Sequence, residues 1–321
     1  MLIKNLINSA LWATALGSLA VSQCAAQDIS VNFSYSSFYV PGAVTLGVQG
    51  INDGGTISGY FVDSSGNTRG FELPPSGTVV TLIEPGDTGS PGYTEGYQIT
   101  QTGTIFGQFY DDSITTYTGF IYKSARGTYT TYLPPGPQYT TSALLGGNDL
   151  GDFCGFIYPP PYSTASALVN LNGTFNTYQI EDSPVSECTS MNASGTAAGT
   201  YTDSAGVDHG WVMTTSGVLT LINVSTAASV AGAAPCVTGN VAGTVVDGIN
   251  NLGDVSGHFW DTSYNEHGFL MTAAGKFYQL DYPGAYQTAG GGLNDKRNVA
   301  GHYIPNSDSC SAPVGYIASL R

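Results

Sequence analysis

Gly50 to Gly86 reads GINDGGTISGYFVDSSGNTRGFELPPSGTVVTLIEPG, and Gly248 to Gly284 reads GINNLGDVSGHFWDTSYNEHGFLMTAAGKFYQLDYPG; the two align without a gap. A third copy, SMNASGTAAGTYTDSAGVDHGWVMTTSGVLTLI from Ser190, keeps the same register. Each copy carries four short stretches of strand character. In the first they are Val44 to Ile51, Thr56 to Val62, Thr68 to Leu73 and Thr78 to Ile83. Turn chemistry separates them: Asn52-Asp53-Gly54-Gly55, Asp63-Ser64-Ser65-Gly66 and Pro74-Pro75-Ser76-Gly77 all favour reversals or accept positive φ.

A glycine ahead of an aromatic or polar residue recurs at Gly59, Gly107, Gly155, Gly199, Gly257 and Gly301, at intervals of 48, 48, 44, 58 and 44 residues. Six units, starting near residues 50, 98, 146, 190, 248 and 292, therefore fill one domain over 27–321. Four antiparallel strands per unit of this length is the sequence form of a propeller blade. The expected fold is all-β: a six-bladed β-propeller of four-stranded antiparallel blades. The sixth unit ends at Leu320-Arg321 after its third strand, while Ser37 to Ala43 resembles the fourth-strand ending Tyr278 to Ala285. The N-terminal strand is thus expected to complete the last blade and remove the free sheet edge. The long interval holds an insertion around Ala231 to Asn240, read as a loop, and Pro159-Pro160-Pro161 replaces the Asp turn of the third unit, where a distorted blade is expected.

The motif GIN-D-x-G-x-I-x-G-Y-x-x-D, followed by (H/R)-G-F and a Pro-Gly-Ala ending, resembles the extracellular repeats called the HAF family. Arg69-Gly70-Phe71, His209-Gly210-Trp211 and His267-Gly268-Phe269 stand in one column of that pattern. The resemblance spans the chain after its first residues. It implies secretion and repeated β structure, and no particular activity.

Residues 1–26 have the build of a secretory signal: Lys4, an apolar stretch from Leu6 to Val21, and Cys24-Ala25-Ala26 as a small-residue cleavage site, with cleavage expected after Ala26. No later stretch offers the roughly 20 consecutive apolar residues a spanning helix requires. The sequence holds 8 basic and 23 acidic side chains, a net charge of −15. Such a surface repels phosphate backbones, so nucleic acid is not an expected partner, and anionic membranes are disfavoured by the same sign.

The recurrent Asp63, Asp111, Asp203 and Asp261 are read as turn formers, since calcium needs six or more converging oxygens and these stand one to a blade. The Asn column at Asn52, Asn148, Asn192, Asn250 and Asn294 is read the same way. His209 and His267 share a column with Arg69 and Thr118, so a hydrogen-bonding role suffices there. His258 and His302 share the column of Tyr60 on neighbouring blades and are the ligand-binding candidates, provided that column faces the central channel. No metal site is assigned, because no third ligand accompanies them and no two cysteines are closely spaced. Cys154, Cys188, Cys236 and Cys310 are an even set suited to disulfides in an oxidising compartment. Of three possible pairings, Cys154–Cys188 with Cys236–Cys310 is favoured.

Nucleophile elbow, phosphate loop and His-Glu-x-x-His are absent, and no catalytic residue or cofactor is assigned. The leading expectation is a secreted, non-catalytic propeller binding an extracellular carbohydrate or protein. The alternatives are a propeller hydrolase or lyase acting on extracellular polysaccharide, and a structural cell-surface protein.

Overall fold

The computed structural model describes residues 33–135, 141–158, 164–234, 236, 239–306 and 313–321, and the backbone of 20–24. Six four-stranded antiparallel sheets stand around one axis as a six-bladed β-propeller. In chain order from the axis outwards, blade 1 is Ala43–Ile51, Ile57–Asp63, Thr68–Leu73 and Val80–Leu82. Blade 2 is Thr94–Ile99, Thr104–Asp111, Thr116–Lys123 and Thr128–Tyr132. Blade 3 is Ser142–Gly147, Phe153–Ile157, Ser166–Leu171 and Thr174–Tyr178. Blade 4 is Val185–Met191, Ala197–Thr202, Asp208–Met213 and Leu219–Val224. Blade 5 is Thr244–Ile249, Val255–Trp260, Glu266–Met271 and Phe277–Leu280. Blade 6 is Gln287–Ala289, Asn298–Ile304 and Val314–Leu320, and its outer strand is Phe33–Phe38 from the other end of the chain.

That outer strand pairs antiparallel with Val314–Leu320, Phe33 opposite Leu320 and Phe38 opposite Gly315, as the sequence had suggested. Phe33 packs edge-on to Tyr278 of blade 5 at 5.8 Å, so the closing strand also joins a seam between blades. The third blade keeps four strands; its Pro159-Pro160-Pro161 run lies outside the described residues. The insertion before blade 5 is more than a loop: Gly232–Ala233 pairs with Asn240–Val241, and Ala231 packs with Tyr264 beside Val207, Ala228 and Ala242. Of the leader expected over 1–26, Ala20–Cys24 is described, running parallel to the outer strand of blade 4; the rest lies outside the described residues.

The glycine column that reveals the period has a steric cause. A Cβ on Gly59, Gly107, Gly155, Gly199, Gly257 or Gly301 would stand 1.9–2.2 Å from a carbonyl oxygen of the innermost strand of its own blade. In blades 1 to 5 that strand is irregular just there, with register shifts such as Cys188/Ser190 and Val246/Gly248. Directly opposite the glycine on the third strand stands the large residue of the column: Phe71, Phe120, Leu168, Trp211, Phe269 and Tyr316. All six are fully buried. Each blade seam then holds its own apolar cluster, for example Leu82, Ile99, Ile105 and Phe120 between blades 1 and 2. A single blade could bury neither of its faces; six stacked side by side bury them all.

The Cys154–Cys188 disulfide crosses the seam between blades 3 and 4, within the cluster around Met191 and Trp211. Cys236 is likewise a half-cystine, and its expected partner Cys310 lies outside the described residues.

Candidate functional site: an acidic cup on the propeller axis

The Asn column makes the floor. In Asn192, Oδ1 accepts the amides of Ser194 and Thr196, which shapes the turn, while Nδ2 donates 3.1 Å to the carbonyl of Asn250 in the next blade. Asn148 reaches Asn192, Asn250 reaches Asn294, and Asn294 reaches Asn52 across the closing seam, at 3.2, 3.1 and 3.0 Å. Asn52 donates to Thr100, which stands in the column in blade 2 and hands the belt to Asp149 through its hydroxyl. The column thus forms turns, as expected, and also ties each blade to its neighbour.

Gln98 plugs the belt. From blade 2 its Nε2 donates 3.0 Å to Met191 O of blade 4, while its Oε1 accepts from Gly147 N of blade 3 at 2.9 Å and Met191 N at 3.2 Å. Above this plug lies a cavity of ≈390 Å³, within the usual range for small-ligand sites of about 300–1,000 Å³. Its mouth faces the opposite end of the ring: Val185, Thr202 and Asp208 on its rim are paired with one another at one end of blade 4, whereas Met191 pairs with Ala197 at the other. The channel is therefore a blind cup.

Two positions of each innermost strand, 12 and 10 residues before the glycine column, supply much of the wall. They contribute Glu187 and Val245 from the first, and Gln49, Tyr97, Leu145, Thr189 and Asp247 from the second. Phe156 and Thr200, from the column of Tyr60, complete it with Thr202 and Asp208. Among the described residues no Lys or Arg lines the cup.

Charge accumulates here. Glu187 is pushed up to about 7, chiefly by burial and then by the charges of Asp208 and Asp247. Asp208 is raised by burial, against the pull of a hydrogen bond from Thr202 and of His258. Beside the cup, Glu95 accepts from Tyr97 Oη at 2.6 Å and Gln108 Nε2 at 2.7 Å, and burial followed by that carboxylate drives the Tyr97 hydroxyl far up.

The two candidate histidines stand next to this wall. His258 Nδ1 lies 2.8 Å from Asp247 Oδ2, and its Nε2 is 3.8 Å from Glu266 Oε1. Burial works against its charge, but Asp247 and Glu266 outweigh it and hold the imidazole at about 9. His302 is buried close enough to feel that charge, and burial keeps it below its ordinary value. The two imidazoles are coupled electrostatically, within a frame of Asp247 and Glu266. Neither imidazole lines the cup itself; Asp247 stands between His258 and the cavity.

The remaining sequence candidates are structural. Asp63, Asp111, Asp203 and Asp261 accept turn amides two residues on at 2.8–2.9 Å. His209 bridges Asp203 and Asn223, and His267 bridges Asp261 and Asp281, latching that turn to the end of the outer strand. Among the described residues no group of three or more His, Cys, Asp or Glu is arranged to hold a metal ion, and no helix is long and apolar enough to cross a membrane.

No family model and no curated protein matches this chain. Solved structures do. A putative exported protein from Bacteroides fragilis superposes with a TM-score of 0.50 at 10% identity, covering 94% of this chain and 99% of that one. The likeness is one of fold. A multiple mutant of AofleA from Arthrobotrys oligospora gives 0.49 at 10% identity over 88% and 86% of the two chains. A mutant of the Aleuria aurantia lectin, in complex with Fucα1-6GlcNAc, gives 0.44 at 8% over 84% and 90%.

Proposed function

We propose that this chain is a secreted propeller of the HAF type whose cup binds an extracellular carbohydrate. Its leader-like first 26 residues and its half-cystines support export to an oxidising compartment. The observation that carries the binding assignment is the blind cup, ≈390 Å³ in volume, walled by carboxylates, amides and hydroxyls alongside Tyr97 and Phe156, without a cation. Sugar hydroxyls donate to such acceptors, and aromatic faces pack on sugar rings, whereas a phosphorylated or carboxylated ligand meets like charge. A glycan array probed with the wild type and with Val245→Phe, which fills the cup without removing a polar group, tests this. Binding by the wild type that is lost in the variant supports the proposal; glycan binding indifferent to Val245→Phe overturns it.

Polysaccharide hydrolysis is a second reading, favoured by Glu187, poised to hold a proton near neutral pH, beside the Asp247 carboxylate paired with His258. Turnover of a bound glycan that is abolished by Glu187→Gln establishes it, and binding without turnover rejects it.

A further inference from the structure

Glu187 is the anomaly of the cup. Its half-buried carboxyl lines the open cup, and among the described residues no backbone or side-chain group donates it a hydrogen bond. The carboxylates around it are otherwise occupied: Asp208 accepts from the Thr202 hydroxyl at 2.7 Å, and Asp247 is joined to His258 at 2.8 Å. A carboxyl in the cup with no donor from the chain takes its hydrogen bonds from water, or from a ligand that displaces that water.

We propose that the cup selects a ligand carrying an ammonium group, and in the carbohydrate reading, on which this rests, a sugar with a free amine, its nitrogen seated against Glu187 and flanked by Asp208 and Asp247. A hydroxyl can donate to Glu187 but brings no positive charge to Glu187 and Asp208, whereas Asp247 already faces His258. An ammonium brings three donors and the opposite charge to the same place. The groups facing Glu187 reinforce the choice. Asp208 comes from its own blade and Asp247 from blade 5, both repelling its negative charge. From blade 3 comes Tyr158, whose hydroxyl burial and then Glu187 push up. The nearby imidazolium of His258 is bound to Asp247, with Glu266 behind it, and His209 is held by Asp203 and Asn223. With no Lys or Arg on the wall, no fixed cation competes for the seat. The chain's net charge of −15 draws a cation towards the mouth.

Calorimetric titration of the full chain with three disaccharides of equal length tests this: a diglucosamine with free amines, its N-acetylated counterpart, and cellobiose, with 1,4-diaminobutane as a sugar-free probe. The amine disaccharide is expected to bind at least about tenfold tighter than either neutral one, as befits a charge-assisted contact. That ratio falls below about threefold in Glu187→Gln, and falls in part in Asp208→Asn, with thermal melting confirming that each variant is folded. Equal affinity for all three disaccharides overturns amine selection and leaves carbohydrate binding standing. Binding of diaminobutane without any disaccharide sustains the ammonium seat and overturns the carbohydrate reading. Silence towards all four probes overturns both.

Discussion

Asn294→Ala removes the link that passes the Asn belt across the closing seam. The side chain is buried and makes three hydrogen bonds: Nδ2 to Asn52 O at 3.0 Å, and Oδ1 from Lys296 N at 3.1 Å and Asn298 N at 2.9 Å. At about 1 kcal/mol net each, their loss costs about 3 kcal/mol. Asn52 O keeps the Gly55 amide, and the exposed Lys296 amide can turn to water, which holds the cost near that figure. Asn294→Asp divides the contributions. Its carboxylate still accepts both turn amides but sets an oxygen against Asn52 O, so the inter-blade bond becomes a repulsion, at a cost of about 2 kcal/mol at neutral pH. In acid the carboxyl regains a proton to donate, and the deficit shrinks as pH falls. Urea unfolding followed by the fluorescence of Trp211 and Trp260 reads both variants. A neutral-pH midpoint for Asn294→Asp equal to wild type, or a deficit indifferent to acid, refutes the assignment of the belt as an inter-blade tie.

Gly199→Ala places a Cβ 2.0 Å from Glu187 O and 2.7 Å from the Trp211 ring, whereas Gly66→Ala, at φ +83°, meets nothing within 4 Å. The first should cost about 3 kcal/mol or more by forcing strand displacement, the second about 1–2 kcal/mol of left-handed strain, and denaturation midpoints in the reverse order defeat the steric account. Stability should also fall with rising pH in two windows, because both groups hold protons more tightly folded than unfolded. Glu187 acts between 4.5 and about 7, and His258 between 6.5 and about 9, below which its contribution is complete. The upper fall amounts to at most about 3 kcal/mol. Glu187→Gln should flatten the lower window and His258→Gln the upper; unchanged slopes would contradict the assignment.

The fold was legible because its requirements repeat. The close-lying carbonyl of the inner strand needs a glycine opposite it in every blade, so Gly59 through Gly301 announce the count, and Phe71, Trp211 and Phe269 mark the third strand. The same column logic singled out His258 and His302, which stand behind the cup wall and not on it. The cup was not, because it is built where the units disagree. Twelve residues before the glycine the six blades read Gly47, Glu95, Ala143, Glu187, Val245 and Ala289; ten before it they read Gln49, Tyr97, Leu145, Thr189, Asp247 and Gly291. These positions alternate along the strand nearest the axis and share its inward face. Packing fixes single members, as at Gly291 where a Cβ would stand 2.3 Å from Val48 O, but imposes no common residue on either column, so the rest can be chosen for chemistry. Scanning a repeat for columns that stay inward but lose their consensus would have singled out Glu187 and Asp247. Gln98 would still have escaped, since its partner Met191 is 93 residues away and no periodicity links them.

The pairing of Ser34 with Ser319 spans 285 residues, nearly the length of the chain. During synthesis the backbone edge of Phe33–Phe38 must wait unpaired until Val314–Leu320 has been made. Contacts this distant in sequence form slowly, and unpaired edges aggregate while they wait. A product cut short before Val314 would leave that early strand permanently without its mate. Assembly therefore waits on, and reports, the synthesis of Val314–Leu320.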